Sequence, residues 1–218
     1  MTIDLAGRAL GDLFGAVGRV RRPRKPLHPH GTVLPASLTR SGLDEPCGIA
    51  WLDEPGRDDV LVRFSRGAGL PDPLPDVLGL AMRIPMPDGR HADLLFASTG
   101  MGRLTRFLLR PGRNAAASSY STLLPYRAPE GPLFLSCKPA VAERGVCFEL
   151  GLAVGVGPWR VFGQLDVPDA EPAQDADITF DPMTNTLPDL QPADWVVRIR
   201  ERAYRKARQS RGDERPRP

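Results

Sequence analysis

The chain has 218 residues, 41% hydrophobic and 25% charged, with a formal net charge of +3. That length suits one barrel-sized domain and is enough to bury a real core. No run approaches the roughly 20 apolar residues of a membrane span, so no transmembrane helix is expected.

The charge is uneven. Residues 1–25 hold six Lys or Arg against two Asp or Glu, residues 198–218 hold nine against three, and the middle is acidic. Basic ends on an acidic body fit nucleic-acid binding, capture of a small polyanion, or plain solvated helix faces. Aromatics are only 6% of the chain, and no nucleic-acid motif is present, so no nucleic-acid partner is expected. Cys47, Cys137 and Cys147 have no CxxC spacing and read as reduced, partly buried thiols. The N-terminus has no basic region ahead of an apolar run. Both features point to a cytoplasmic protein.

In chain order, residues 2–19 place Leu5, Ala9, Leu10, Leu13, Phe14 and Val17 at helical spacing, which predicts an amphipathic helix packed on the body or on a second copy of the chain. A basic connector with Pro23 and Pro26 follows and cannot continue that helix. Strands are predicted at 31–40, 47–53, 59–65, 78–86 and 91–98, separated by Gly, Pro and Asp clusters. Residues 101–118 read as helix, interrupted by Pro111-Gly112. Further strands are predicted at 132–138, 146–155 and 158–166. Eight short strands in series suggest an antiparallel barrel. So small a barrel has little interior beyond its own side chains, so a large planar ligand would lie against its outside or rim. Residues 167–193 are Pro- and Asp-rich irregular chain, a last helix spans about 193–210, and 212–218 is a charged tail expected to be disordered.

On the last helix Arg200, Tyr204, Arg208 and Arg211 stand at i, i+4, i+8 and i+11, one stripe of an α-helix. Arg200, one turn away, favours the ionised phenol and so lowers the Tyr204 pKa from its usual value of about 10. A tyrosinate is a hard anionic ligand suited to ferric iron. A surface tyrosine stacked by arginines would show the same spacing.

Four upstream segments join that stripe: Leu27-His28-Pro29-His30-Gly31, Val62-Arg63-Phe64-Ser65, Asp76 through Arg83, and Asp93-Leu94-Leu95. In this order they resemble the haem catalase superfamily, from about residue 24 to residue 211. The resemblance implies a mainly β protein with flanking helices. Its core would be a minimal catalase-like antiparallel eight-stranded barrel over 26–211, preceded by the helix and connector of 1–25. It implies haem b, with Tyr204 as axial iron ligand, Arg200 as its partner, and Arg208 and Arg211 toward the cofactor. His28 matches the distal acid/base, which moves a peroxide proton from one oxygen to the other; His30 is its rival. Arg63 would contact a propionate and Ser65 would orient the His. Lys25, beside Arg24, stands where the family carries a propionate-binding Arg.

The main departure follows Asp93. Catalases have an Asn pair there, one member of which helps hold peroxide. This chain has Phe96-Ala97-Ser98-Thr99, and Ser98 is taken as the corresponding catalytic residue, with a shorter reach. The expectation is a haem-dependent peroxidase or peroxide-using oxidoreductase with weak catalase activity, acting on peroxide and an organic co-substrate. The alternatives are a biosynthetic haem enzyme for a specific organic substrate and a haem-binding or sensing protein without turnover. Residues 120–127, Tyr120-Ser121 through Tyr126-Arg127, are assigned to core packing.

Overall fold

The computed structural model describes residues 31–71, 73–171, 178–193, 195 and 196. The helices expected over 2–19 and 193–210 and the tail 212–218 lie outside these residues, apart from the start of the second helix.

Nine strands run in chain order: β1 Gly31–Arg40, β2 Gly56–Arg66, β3 Leu78–Pro85, β4 His91–Ser98, β5 Tyr120–Ser121, β6 Tyr126–Ala128, β7 Gly131–Ala140, β8 Val146–Val154 and β9 Arg160–Val167. Neighbours pair antiparallel in the order β5-β4-β3-β2-β1-β9-β8-β7-β6, and β5 also pairs with β7. That extra pairing closes a ring of eight strands, with β6 attached outside it as a hairpin partner of β7. Closure rests on two residues: Tyr120 and Ser121 face Ser98 and Ala97 on one side and Cys137 and Ser136 on the other.

Each strand turns alternate residues inward, as a pleat requires. One inward rung reads Leu34, Val62, Met82 and Leu94 across β1 to β4. The opposite wall contributes Leu133, Leu135, Phe148, Leu150 and Leu165, and all belong to one core. Aromatic side chains span the lumen. Phe148 stacks edge-on against Tyr120 with centroids 5.9 Å apart and meets Phe64 at 6.1 Å. The barrel is therefore a packed core, and a large ligand must use the outside.

Strand β1 pairs with β2 along its whole length but with β9 only over Ser37–Arg40. Pro35 falls in the part of β1 that lacks a β9 partner, where a missing N–H costs no ladder bond. Between β7 and β8, Gly145 has φ +68, and a Cβ there would stand 2.3 Å from the Val167 carbonyl oxygen. That turn needs glycine for both reasons.

The structure corrects two expectations. Residues 47–53 are not a strand but a turn entering a short helix, α1, Ala50–Asp53. The Asp53 carboxylate accepts the N–H groups of Cys47, Gly48 and Ile49 and winds the chain back on itself. The place of 47–53 in the ring is taken by β5, which is too short to show a period in sequence. Residues 101–118 hold only a single 3₁₀ turn, Thr105–Phe107. Gly100, Gly102 and Pro111-Gly112 break the helical register, and buried Arg106 ties this loop to the β8–β9 turn instead.

Among the described residues no helix is long and apolar enough to cross a membrane. The three cysteines are free and buried. Burial pushes the thiols of Cys47 and Cys147 up to about 11, so they stay protonated at neutral pH.

Candidate functional site: an outward shelf on the first half of the barrel

The register of β1 to β4 puts two outward rungs side by side. One reads Gly31, Ser65, Gly79, Ala97; the other reads Val33, Arg63, Ala81, Leu95. Four strands span about 14 Å in the hydrogen-bonding direction. Most side chains on these rungs are small, so the strands present a flat shelf broken by one long polar group, Arg63. Its guanidinium lies across Gly31, where a Cβ would come within 2.5 Å of Arg63 Cζ. Arg63 is 6% exposed and Ser65 9%. The Ser65 hydroxyl lies 3.5 Å from the Gly79 carbonyl oxygen.

A third rung borders the shelf: Pro35, Leu61, Arg83 and Asp93. Asp93 is 1% exposed and takes both ends of the Arg83 fork, at 2.8 and 3.0 Å. Burial alone would raise this carboxyl. The Arg83 fork, the Asp181 N–H and the Asn185 amide outweigh it and hold Asp93 below the usual carboxylate range.

The predicted site residues divide by face. Arg63 and Ser65 come together on the shelf. Ser98 does not join them. It is one residue past Ala97, so its side chain points to the opposite face. There its hydroxyl accepts the Leu78 N–H at 2.9 Å and donates to the Arg110 carbonyl at 2.8 Å. The residue of that pair on the shelf rung is Ala97, which has no hydrogen-bonding side chain. Asp76, the first residue of the matched pocket-wall stretch, accepts the N–H groups of Ala68 and Leu70 and so folds the β2–β3 loop. Tyr120 is fully buried and donates to the Ala115 carbonyl, a packing role as expected. Lys25, His28, His30, Arg200, Tyr204, Arg208 and Arg211 lie outside the described residues.

Sequence reasoning missed Asp181 and Asn185. They sit in a Pro- and Asp-rich stretch with no period to betray them. The one local signal was Asp181 ahead of Thr184, an Asx-turn composition.

No family model and no curated protein matches the sequence. Solved structures do match. Catalase A from Saccharomyces cerevisiae aligns with a TM-score of 0.64 at 14% identity, covering 91% of this chain and 63% of that one. A fungal catalase aligns at 0.59 and 14%, covering 89% and 60%. A bacterial catalase aligns at 0.60 and 13%, covering 93% and 60%. The barrel is catalase-like. The chain spans about three fifths of the length of these neighbours.

The shelf fits a flat macrocycle better than a bulky ligand. Gly79, Ala81 and Ala97 raise little above the sheet, and Arg63 adds one cation between Val33 and Ala81. Among the described residues no three His, Cys, Asp or Glu side chains converge as a metal-binding group.

Proposed function

We propose that this protein is a haem-dependent oxidoreductase that uses peroxide to oxidise an organic co-substrate, with weak catalase activity. The observation that supports it most is the convergence of Arg63 and Ser65 on one flat outward shelf of a catalase-like barrel. Haem b is the cofactor of this reading. When bound, it supplies redox chemistry, taking oxidising equivalents from peroxide and passing them to a donor.

The chain supplies the rest. Tyr204 gives the iron an anionic oxygen, and Arg200 favours its ionised form. Lys25, Arg63, Arg208 and Arg211 balance the two carboxylates of the macrocycle edge. His28 takes a proton from one peroxide oxygen and returns it to the other, the departing one; His30 is the alternative carrier. Ser65 orients that imidazole. Ala97, with no donor on the shelf, supports weak catalase turnover, because oriented binding of a second peroxide lacks a hydrogen-bonding side chain at that rung.

A second reading is a biosynthetic haem enzyme that transforms one organic substrate. The same bare rung favours it, because an apolar shelf admits an apolar substrate. Product analysis with and without an organic donor separates the two.

The test begins with the visible spectrum of purified protein loaded with haem. Tyr204→Phe keeps the ring and removes the anionic oxygen, so haem is lost or its bands move. Arg200→Ala moves them in the same direction by less. An unaltered spectrum in Tyr204→Phe refutes the ligand assignment.

A further inference from the structure

Residues 178–185 dock on the edge of β3 and β4, and the Asn185 side chain enters between two residues of β4. Its Nδ2 lies 2.8 Å from Asp93 Oδ2 and 2.9 Å from His91 Nε2. His91 Nε2 is 3.8 Å from the same carboxylate oxygen. Three polar atoms thus form a closed triangle, and the proton on one of them constrains the other two.

An ionised carboxylate only accepts hydrogen bonds. The atom of Asn185 facing Asp93 is therefore the amide nitrogen, which carries two hydrogens. One goes to Asp93. The other points at His91 Nε2, which must offer a lone pair, so the imidazole is neutral with its hydrogen on Nδ1. Protonation puts a hydrogen on Nε2 too, and a donor then faces a donor. Turning the amide over does not relieve this, because its oxygen would meet the carboxylate. The arrangement that satisfies the imidazolium closes the 3.8 Å gap and pairs it with Asp93 directly. Asn185 then loses its side-chain hold.

The charged groups facing His91 come from four places. Asp93, on its own strand, carries the Arg83 fork from β3 and the Asp181 N–H from the docked turn. These bonds and the Asn185 amide hold it below the usual carboxylate range, so it stays ionised in mild acid. The Asp181 carboxylate is engaged within its own turn by Met183 and Thr184. Asp88 and Arg90, in the β3–β4 turn, pair with each other at 2.7 Å. Histidine is the side chain that ordinarily changes charge between about pH 5 and 8, and the His91 ring is 39% exposed, open to protons from solvent.

We infer that His91 is a proton-operated latch on residues 178–185: the neutral imidazole accepts from Asn185 and keeps it on Asp93, whereas the imidazolium takes Asp93 for itself and releases the Asn185 side chain. The Asp93 N–H still donates to the Asn185 carbonyl, and Arg83 still donates to the Thr179 carbonyl. The turn therefore loosens without leaving the barrel. The latch acts on this turn whether or not the chain binds haem.

The experiment follows the isotope-labelled full chain by NMR from about pH 8 to about pH 5, as wild type, His91→Gln and Asn185→Ala. Imidazole nitrogen shifts at the alkaline end report the tautomer, and the form with hydrogen on Nδ1 is expected. Amide exchange, expressed as protection relative to the intrinsic rate at each pH, reports docking at the Asp181 and Asp93 N–H groups. In wild type both should lose about 10-fold in protection, on the scale of one hydrogen bond to a charged group, with a midpoint that follows the His91 titration. His91→Gln offers an amide oxygen that accepts at every pH, so its protection should stay high. Asn185→Ala should start low and stay flat, and it serves as the test if His91→Gln does not fold. Amides of β7 and β8 should not respond. Hydrogen on Nε2 at the alkaline end overturns the latch. So does wild-type protection that is flat through the His91 titration, or a loss that persists in His91→Gln or in Asn185→Ala.

Discussion

Across β1 to β4 the outward rung Gly31, Ser65, Gly79, Ala97 lies beside Arg63. Across β5, β7 and β8 the same rung continues as Ser121, Ser136 and Gly151. Both stretches are small and weakly polar, yet they are used differently. In the second half the chain covers itself. Ser121 donates to the Arg106 carbonyl and accepts from Thr99 and from the Leu123 N–H. The loop above is locked to the β8–β9 turn: Arg106 donates to the Gly155 and Gly157 carbonyls and sits 4.1 Å over the Trp159 ring, while Trp159 donates to the Met101 carbonyl. In the first half the same small side chains flank a buried guanidinium and an anchored segment. Small residues facing outward on a sheet thus let something approach closely: the chain's own loop in the second half and, on the reading proposed above, a ligand in the first.

The largest expected effect belongs to the haem chemistry proposed above for the shelf half. His28→Ala should slow peroxide reduction by roughly 10²–10⁴-fold with haem still bound, and His30→Ala by far less. Stopped-flow mixing with peroxide measures both, and the reverse ranking moves the role to His30.

The next largest effect concerns the seam at Asp93. Removing one partner of a buried ion pair costs about 3–5 kcal/mol, and Asp93→Asn should approach that near neutral pH. The pH dependence carries a sign. Asp93 is held below the usual carboxylate range in the fold. Its contribution is therefore complete above the unfolded value of about 4 and is lost as pH falls through the lower folded value. The gap in stability between wild type and Asp93→Asn should narrow as pH drops from about 6 toward 3. Urea melts across that range test it, and a gap that widens toward acid would contradict the assignment.

The covered half has its own weak point. Arg106 is 1% exposed, and burial lowers the pKa of its guanidinium from the usual arginine value. Arg106→Ala strands the Gly155 and Gly157 carbonyls and uncovers Trp159, at an expected cost of about 3 kcal/mol. Haem bands of the folded variant should stay put. If they move, the two halves are coupled more tightly than their separate bonding suggests.

The eight-stranded barrel was legible because its long strands alternate cleanly, as β2 does with Val60, Val62 and Phe64 inward. Its closure was not. Two residues, Tyr120 and Ser121, cannot express a period of two, whereas 47–53 looks strand-like until the Asp53 carboxylate gathers three N–H groups and bends it. The face of Arg63 and Ser65 could be read, since a spacing of two on one strand keeps them together. The reach of Arg83 and Asp93 to Thr179, Asp181 and Asn185 could not, because those bonds join residues about 90 positions apart through irregular chain.

The same parity governs the last and smallest effect. Sequence matching aligns Ser98 with the catalase Asn, but the pleat gives the shelf rung to Ala97. Catalase turnover needs a second peroxide oriented over the cofactor, whereas peroxidase turnover needs only a donor within reach. A donor placed at residue 97 should therefore favour the first branch and leave the second nearly unchanged. Ala97→Asn is expected to raise oxygen release from hydrogen peroxide relative to oxidation of an organic donor by a few-fold, on the scale of roughly 1 kcal/mol for one added hydrogen bond. Ser98→Asn is expected to leave that ratio alone and to lower stability by about 1–3 kcal/mol, because the Leu78 N–H and the Arg110 carbonyl lose a fitted partner in a buried site. Oxygen evolution and donor oxidation, measured on the same haem-loaded samples of both variants, decide between the two positions. A ratio that responds to residue 98 and not to residue 97 would mean that the cofactor does not lie on the outward shelf.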